Sequence, residues 1–171
     1  MIYTIGHSTR RLDEFIALLR AHAVTRLADI RTVPRSRRYP HFSLEALSES
    51  LAGAGIDYRH FAVLGGRRTP RPDSPNTAWR HDGFRGYADH LETPAFAAGL
   101  AELVEYGRPA PTAIMCAEAV WWRCHRQLLA DALVAKGVEV RHIMSAGAAP
   151  AHTLTDFAQV TGDCVGYRRL I

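Results

Sequence analysis

The chain has 171 residues, 47% hydrophobic and 22% charged, which suits one α/β domain with a buried core and excludes disordered or collagen-like chains. No apolar run approaches the roughly 18 residues of a membrane span, and the opening MIYTIGHSTRRLDEF lacks the basic-then-apolar pattern of a signal peptide, so a cytoplasmic protein without membrane contact is expected. Lys and Arg total 21 against 17 Asp and Glu, a formal net charge of +4 that permits an acidic partner without requiring one.

Residues 2–6 are β-prone and end in Gly6-His7-Ser8-Thr9, after which Phe15, Ile16, Leu18 and Leu19 form a helical face. Ser8 or Thr9 is the expected helix cap, and the free N–H groups of that first turn suit an anion. A second strand is expected over Val24–Ile30, followed by a loop from Arg31 to Pro40 in which two prolines interrupt regular structure. Ser43 opens a short helix through Leu44, Leu47 and Leu51. Ile56–Val63 reads as a third strand, closed by Leu64-Gly65-Gly66.

Arg67–Asp82 is a long polar loop rich in Pro and Arg, of the kind that is functional or mobile. A helical region follows from Phe84 to Tyr106, with Pro94 starting its second helix. Pro111–Cys116 suits a buried parallel strand. Cys124–Lys136 repeats Leu128, Leu129, Ala132 and Leu133 at helical spacing and stops at Gly137. Val138–Ile143 is the last strand expected in the sheet, and the tail 145–171, packing on the domain, contains a short helix near Thr153–Val160. This alternation predicts one α/β domain over 1–171, a Rossmann-like three-layer sandwich with a mostly parallel sheet of about five strands. Ligands of such sheets sit beyond the carboxyl ends of the strands. The ends of interest are Gly6-His7-Ser8, Asp29-Ile30-Arg31 and Cys116-Ala117-Glu118.

Reactive residue types concentrate between Cys116 and Arg126. Helical spacing turns Cys124 and His125 toward the sheet side, near Cys116, and a thiolate is favoured beside Arg123, His125 and Arg126, while Glu118 opposes it. Taken singly, each cysteine fits the commoner role of a small buried side chain. The spacing lacks the Cys-x-x-Cys of thioredoxin-like sites and zinc knuckles. It also sets Arg123 one residue too far from Cys116 for a cysteine-phosphatase loop. His7 reaches the crevice from a glycine turn, or caps a helix. Asp29 and Arg31 act as carboxylate and anion clamp, or pair with each other. Arg35, Arg37, Arg38, Arg67, Arg68 and Arg71 lie in two polar loops with Tyr39, His41 and Phe42 interleaved, a mixture that suits phosphates and bases as well as plain solvated loops. Trp121-Trp122 stacks on a planar ligand or caps the core, with core packing the default.

These motifs, Thr4-Ile5-Gly6-His7-Ser8, Asp29-Ile30-Arg31 with Pro34 and Ser36, Leu64-Gly65-Gly66 with the following Arg67, Tyr87, Cys116-Ala117-Glu118 and Cys124-His125-Arg126, resemble those of a bacterial and archaeal family, domain-of-unknown-function family 488. The likeness runs to about Ser145. It implies an α/β sandwich-like fold and a characteristic site containing His7, Asp29, Arg31, Cys116, Glu118, Cys124, His125 and Arg126. It implies no particular reaction.

Three functions from different classes remain open. The leading expectation is an enzyme with a cysteine-centred crevice acting on an anionic, nucleotide or nucleic-acid-derived substrate. Cys116 would be nucleophile or redox thiol, Cys124 its resolving partner, His125, His7 or Glu118 would move protons, and Ser8, Asp29, Arg31, Arg67, Tyr87, Arg123 and Arg126 would line the ligand site. The second is a metal site for Zn²⁺ or iron built on Cys116, Cys124 and His125, with His7 or Asp29. The third is a non-catalytic, Arg-rich nucleic-acid-binding module.

Overall fold

Five segments, β1 (Ile2–Gly6), β2 (Arg26–Asp29), β3 (Asp57–His60), β4 (Thr112–Cys116) and β5 (Val140–His142), pair into a sheet of order β3-β2-β4-β1-β5. Every pairing in it is parallel. β4 is buried along its whole length, as an apolar strand covered on both faces must be. β3, at one edge, alternates between exposed and half-buried positions. The computed structural model describes residues 1–169; Leu170 and Ile171, the end of the expected 1–171 domain, lie outside the described residues.

Five α-helices cover the sheet: α1 (Leu12–Ala21), α2 (Leu44–Gly53), α3 (Asp82–Leu91), α4 (Pro94–Gly107) and α5 (Arg126–Ala135). Strand side chains alternate between faces, which divides the core in two. Ile5, Leu27 and Met115 pack with Phe15, Leu19, Leu47 and Leu51 of α1 and α2. Ala28, Ile114 and Cys116 pack with Tyr87, Leu100, Leu103, Leu128 and Leu129 of α3, α4 and α5. Each fully buried Leu or Phe contributes about 1.5–3 kcal/mol relative to exposure. The result is a single-domain α/β three-layer sandwich. Among the described residues no helix is long and apolar enough to cross a membrane.

Connectivity positions the site. The chain passes from β1 to β2 by skipping one place in the sheet, and β4 later fills it. Register sets Gly6 beside Cys116 and Asp29 beside Met115, so three strands finish at one level.

Several local expectations change. Arg11, not Ser8 or Thr9, occupies the position before α1. Ser8 takes φ 48, a left-handed turn incompatible with the extended backbone of an N-cap. The third strand stops at His60, because Ala62–Leu64 closes into a 3-10 turn. The helix expected from Cys124 begins at Arg126. Thr153–Val160 forms no helix. Instead β6 (Gln159–Thr161) and β7 (Cys164–Gly166) make an antiparallel hairpin around Gly162. Val160 and Thr161 are β-branched and Gly162 supplies the positive φ of the turn, which outweighs the weak helical pattern before them. Behind the hairpin Tyr167 is fully buried against Trp79, and its N–H donates to Asn76 Oδ1 at 2.8 Å.

Candidate functional site

The segment after β4 crosses directly over the end of β1. Only glycine allows this at position 6, since a Cβ there would overlap the carbonyl of Glu118. Arg126, fully buried, holds the crossing: its Nη2 donates to the carbonyls of Glu118 at 2.7 Å and Ala119 at 3.3 Å. A 3-10 turn at Trp121–Arg123 then returns the chain to the strand ends. Cys124 arrives there with its Sγ 2.8 Å from Cys116 Sγ, both cysteines free.

The surroundings of the two sulfurs differ. Cys116 Sγ faces the Glu118 carbonyl at 3.8 Å, an acceptor that favours a thiol. Cys124 Sγ lies 3.3 Å from His125 Nδ1 and accepts the Arg126 N–H at 3.4 Å. Burial pushes both thiols up. At Cys116 the neighbouring Cys124 adds to that rise. At Cys124 the hydrogen bond from Cys116 and the charges of His125 and Arg126 overcome it and hold the thiol well below its ordinary value. The surroundings therefore favour the thiol at Cys116 and the thiolate at Cys124. Among the described residues Arg126 has no carboxylate partner, and its Nε has no acceptor. A buried cation of this kind favours ionisation of a neighbouring thiol, and Cys124 is such a neighbour.

His125 is held in one orientation. Its Nε2 is 3.1 Å from the carbonyl of Ile30, which only accepts, so Nε2 carries a proton and Nδ1 is left to exchange one with Cys124. Tyr87 packs edge-on against the ring at 5.1 Å. Gly66 lies so close on another side that a Cβ would overlap the imidazole.

The sulfurs form the floor of a cleft of about 410 Å³. Of the expected site residues, His7, Arg31, Arg67, Cys116, Glu118, Arg123, Cys124 and His125 line it. Arg67, Glu118 and Arg123 are exposed at its mouth. His7 is 4% exposed, stacked on Phe42 at 4.3 Å, and its Nδ1 donates to the Ser8 carbonyl at 3.0 Å. Burial lowers its pKa to about 4, leaving it neutral at pH 7 with Nε2 facing Arg31 Nη1 at 3.5 Å.

Ser8, Asp29, Tyr87 and Arg126 do not line the cleft. Asp29 is fully buried, paired with Arg31 through Nε at 2.9 Å and Nη2 at 2.5 Å, and accepts the Tyr58 hydroxyl at 2.7 Å. Tyr87 is fully buried and donates to the Leu64 carbonyl at 2.9 Å. These groups brace the walls. Phe42 belongs to the core, while Arg68 donates to Gly65 and Val63 carbonyls and Arg71 pairs with Glu92, so none of the three offers a free ligand contact. The further metal ligands expected from the sequence are already engaged, His7 by Ser8 and Asp29 by Arg31 and Tyr58. Among the described residues no group of three or more His, Cys, Asp or Glu is arranged to hold a metal ion.

Sequence reasoning missed a second polar cluster. Arg126 Nη1 donates to Thr4 Oγ1 at 3.4 Å, Thr4 to His142 Nδ1 at 2.8 Å, His142 Nε2 to His152 Nδ1 at 3.0 Å, and His152 Nε2 to Asp131 Oδ1 at 2.8 Å. Both histidines are satisfied as neutral rings in this direction. Trp121 stacks face to face on His142, 4.0 Å apart and 3° from parallel, while Trp122 is 50% exposed. The available signal was Asp131, a carboxylate among apolar residues on the inward side of α5. Arg35 of the Arg-rich loop and Ser36 of the quoted motifs also line the cleft, as do His81 and Phe84.

A family model described as "Domain of unknown function DUF488" matches residues 11–133. The matched span contains both cysteines, His125 and Arg31, and begins after His7 and Ser8. No curated protein and no solved structure shows significant similarity to the chain.

Proposed function

The chain belongs to the DUF488 family, whose matched span covers well over half of it, and from that premise we propose that it is a cysteine-dependent enzyme acting on an anionic, nucleotide or nucleic-acid-derived substrate. The carrying observation is Cys124 Sγ, set at the floor of a cleft between Cys116 Sγ at 2.8 Å and His125 Nδ1 at 3.3 Å. The sequence pattern suggests Cys116 as nucleophile; the surroundings of the sulfurs favour Cys124, with Cys116 as its hydrogen-bond donor and resolving partner.

In this reading Cys124 reacts as the thiolate, its proton held on His125 Nδ1, and the Ile30 carbonyl steadies the imidazolium through Nε2. The thiolate forms a bond to an electrophilic centre of the substrate as the bond to the leaving group breaks. His125 returns the proton to that leaving group, and transfer to water or a second acceptor then frees Cys124. Arg35, Arg67 and Arg123 at the mouth have no protein acceptor among the described residues and hold the anion. A reducing compartment such as the cytoplasm suits this role, because the thiols must stay reduced.

Iodoacetamide labelling at neutral pH, with peptide mass spectrometry, tests the reading. Cys124 should be modified before Cys116, Cys116→Ser should retain the labelling, and inorganic pyrophosphate should slow it. Preferential labelling of Cys116, or no pyrophosphate effect, overturns the assignment.

A further inference from the structure

A second cleft, of about 350 Å³, lies beside the first and is lined by Thr77, Ala78, Arg80, Phe157, Arg168 and Arg169, with Asp156 and its neighbours Ala158 and Gln159 completing it. The two share one wall. His81 and Phe84 face the cysteine cleft, Arg80 faces the second, and Trp79 between them stacks on Phe84 at 4.8 Å and meets Phe157 edge-on at 4.9 Å.

The distribution of arginine partners is uneven. Among the described residues, an arginine side chain without a hydrogen-bond acceptor occurs only in the 35–38 loop, at Arg67, Arg80 and Arg123, and at Arg168 and Arg169. All of these except Arg37 and Arg38 line one of the two clefts. Elsewhere arginines are tied to carboxylates, as Arg11, Arg59, Arg108 and Arg141 are, or to carbonyls. The free guanidinium groups thus follow the two clefts, with one opposing carboxylate in each, Glu118 and Asp156. Exposed aromatic faces accompany them: Phe157 is 41% exposed beside the tail arginines, and Trp122 is 50% exposed next to Arg123.

Guanidinium groups spaced along a surface, with aromatic rings between them, match the alternation of phosphates and bases in a single strand. An acidic peptide would use the guanidinium groups but supplies no regular alternation of charges with flat stacking faces. A duplex is excluded from the reacting position, because Cys116 and Cys124 are 2% and 5% exposed at the bottom of the cleft and only an unstacked nucleotide reaches them. Resting on the cysteine-enzyme reading above, we propose that the substrate is a single-stranded nucleic acid, one nucleotide of which enters the cysteine cleft while the adjoining phosphates run through the second cleft over Arg80, Arg168 and Arg169.

Fluorescence anisotropy with a labelled mixed-sequence single strand of about 12 nucleotides tests this, in DNA and RNA versions and against the blunt duplex. The full chain should bind the single strand more tightly than the duplex. The triple variant Arg80→Gln, Arg168→Gln, Arg169→Gln should lose about tenfold or more in affinity at 50 mM salt, and its slope of log K against log salt should fall by about 2. Its Cys124 labelling rate should be unchanged, which also reports an intact fold. Equal affinity of the triple variant and the parent protein, tighter binding of the duplex, or a preference for poly-glutamate of equal charge overturns the inference. Normal oligonucleotide binding with an unreactive Cys124 leaves it standing and overturns the catalytic reading instead. Tighter binding of one version assigns the strand as RNA or DNA through the 2′-hydroxyl.

Discussion

Arg126 and Asp131 stand on the same helix, both fully buried and opposite in charge, yet among the described residues they are joined through Thr4, His142 and His152 rather than directly. Every hydrogen bond in that chain runs from the guanidinium toward the carboxylate. Asp131 also accepts the Thr155 N–H at 3.0 Å and the Tyr167 hydroxyl at 2.7 Å, tying the tail to the helix that Cys124 and His125 immediately precede. Asp131→Asn removes the charge on which the chain ends. It should lower stability by about 3 kcal/mol. Urea unfolding gives the value, and a loss below about 1 kcal/mol would show that the chain is not a stabilising unit.

Acid should weaken the fold through two buried rings. Burial lowers the pKa of His7 to about 4; for His142, burial and then the charges of His152 and Arg126 lower it to about 3, both from 6.5. The unfolded chain binds these protons first, so the stability they protect is complete above about pH 6.5. It is lost as pH falls toward about 4 for His7 and about 3 for His142, at about 1.4 kcal/mol per pH unit for each. Melting temperatures between pH 6.5 and 4.5 should fall less steeply in His7→Gln and in His142→Gln than in the parent chain. Parallel slopes would contradict the buried neutral state.

His125 should control the acidity of Cys124 through geometry. His125→Asn should move the pH midpoint of Cys124 alkylation up toward the ordinary thiol value of about 8.5. Gly66→Ala, whose added methyl overlaps the imidazole, should produce the same displacement without touching either sulfur. An unchanged midpoint in both variants would remove His125 from the mechanism.

The sulfurs of Cys116 and Cys124 need to approach by less than about 1 Å to reach a disulfide length of about 2.05 Å. Mild oxidation with diamide, which takes up two electrons and two protons, should close that bridge before any bridge to the exposed Cys164 forms. Intact mass and peptide mapping should show an internal Cys116–Cys124 link and a protein that stays folded. A dimer linked through Cys164, with Cys116 and Cys124 still reduced, would be the contrary result.

The sheet was legible because periodicity is a local property. The apolar run before Cys116 could be buried only as a central strand, and the stripe of Leu128, Leu129 and Leu133 could serve only a helix facing it. The tail misled because Thr153–Val160 has no strong period, and the hairpin depends on Gly162 and on burial of Tyr167 against Trp79. The floor of the cleft was reached by a route that helical spacing did not describe: α5 begins only at Arg126, and the 3-10 turn at Trp121–Arg123 delivers Cys124 in extended backbone to the strand ends. The roles of Arg126 and Tyr87 were not legible, because residue type says that Arg binds anions and Tyr donates, but not that carbonyls of the same chain would be their acceptors.

By itself the sequence determined the α/β order of elements and the family, since each depends on patterns within short stretches of chain. Only tertiary structure decided which sulfur is the more acidic, which arginines remain free and that Asp131 connects to Arg126. Those outcomes depend on distances between residues up to 138 positions apart, as between Thr4 and His142, and Coulomb and hydrogen-bond energies are set by such distances and by burial rather than by residue type.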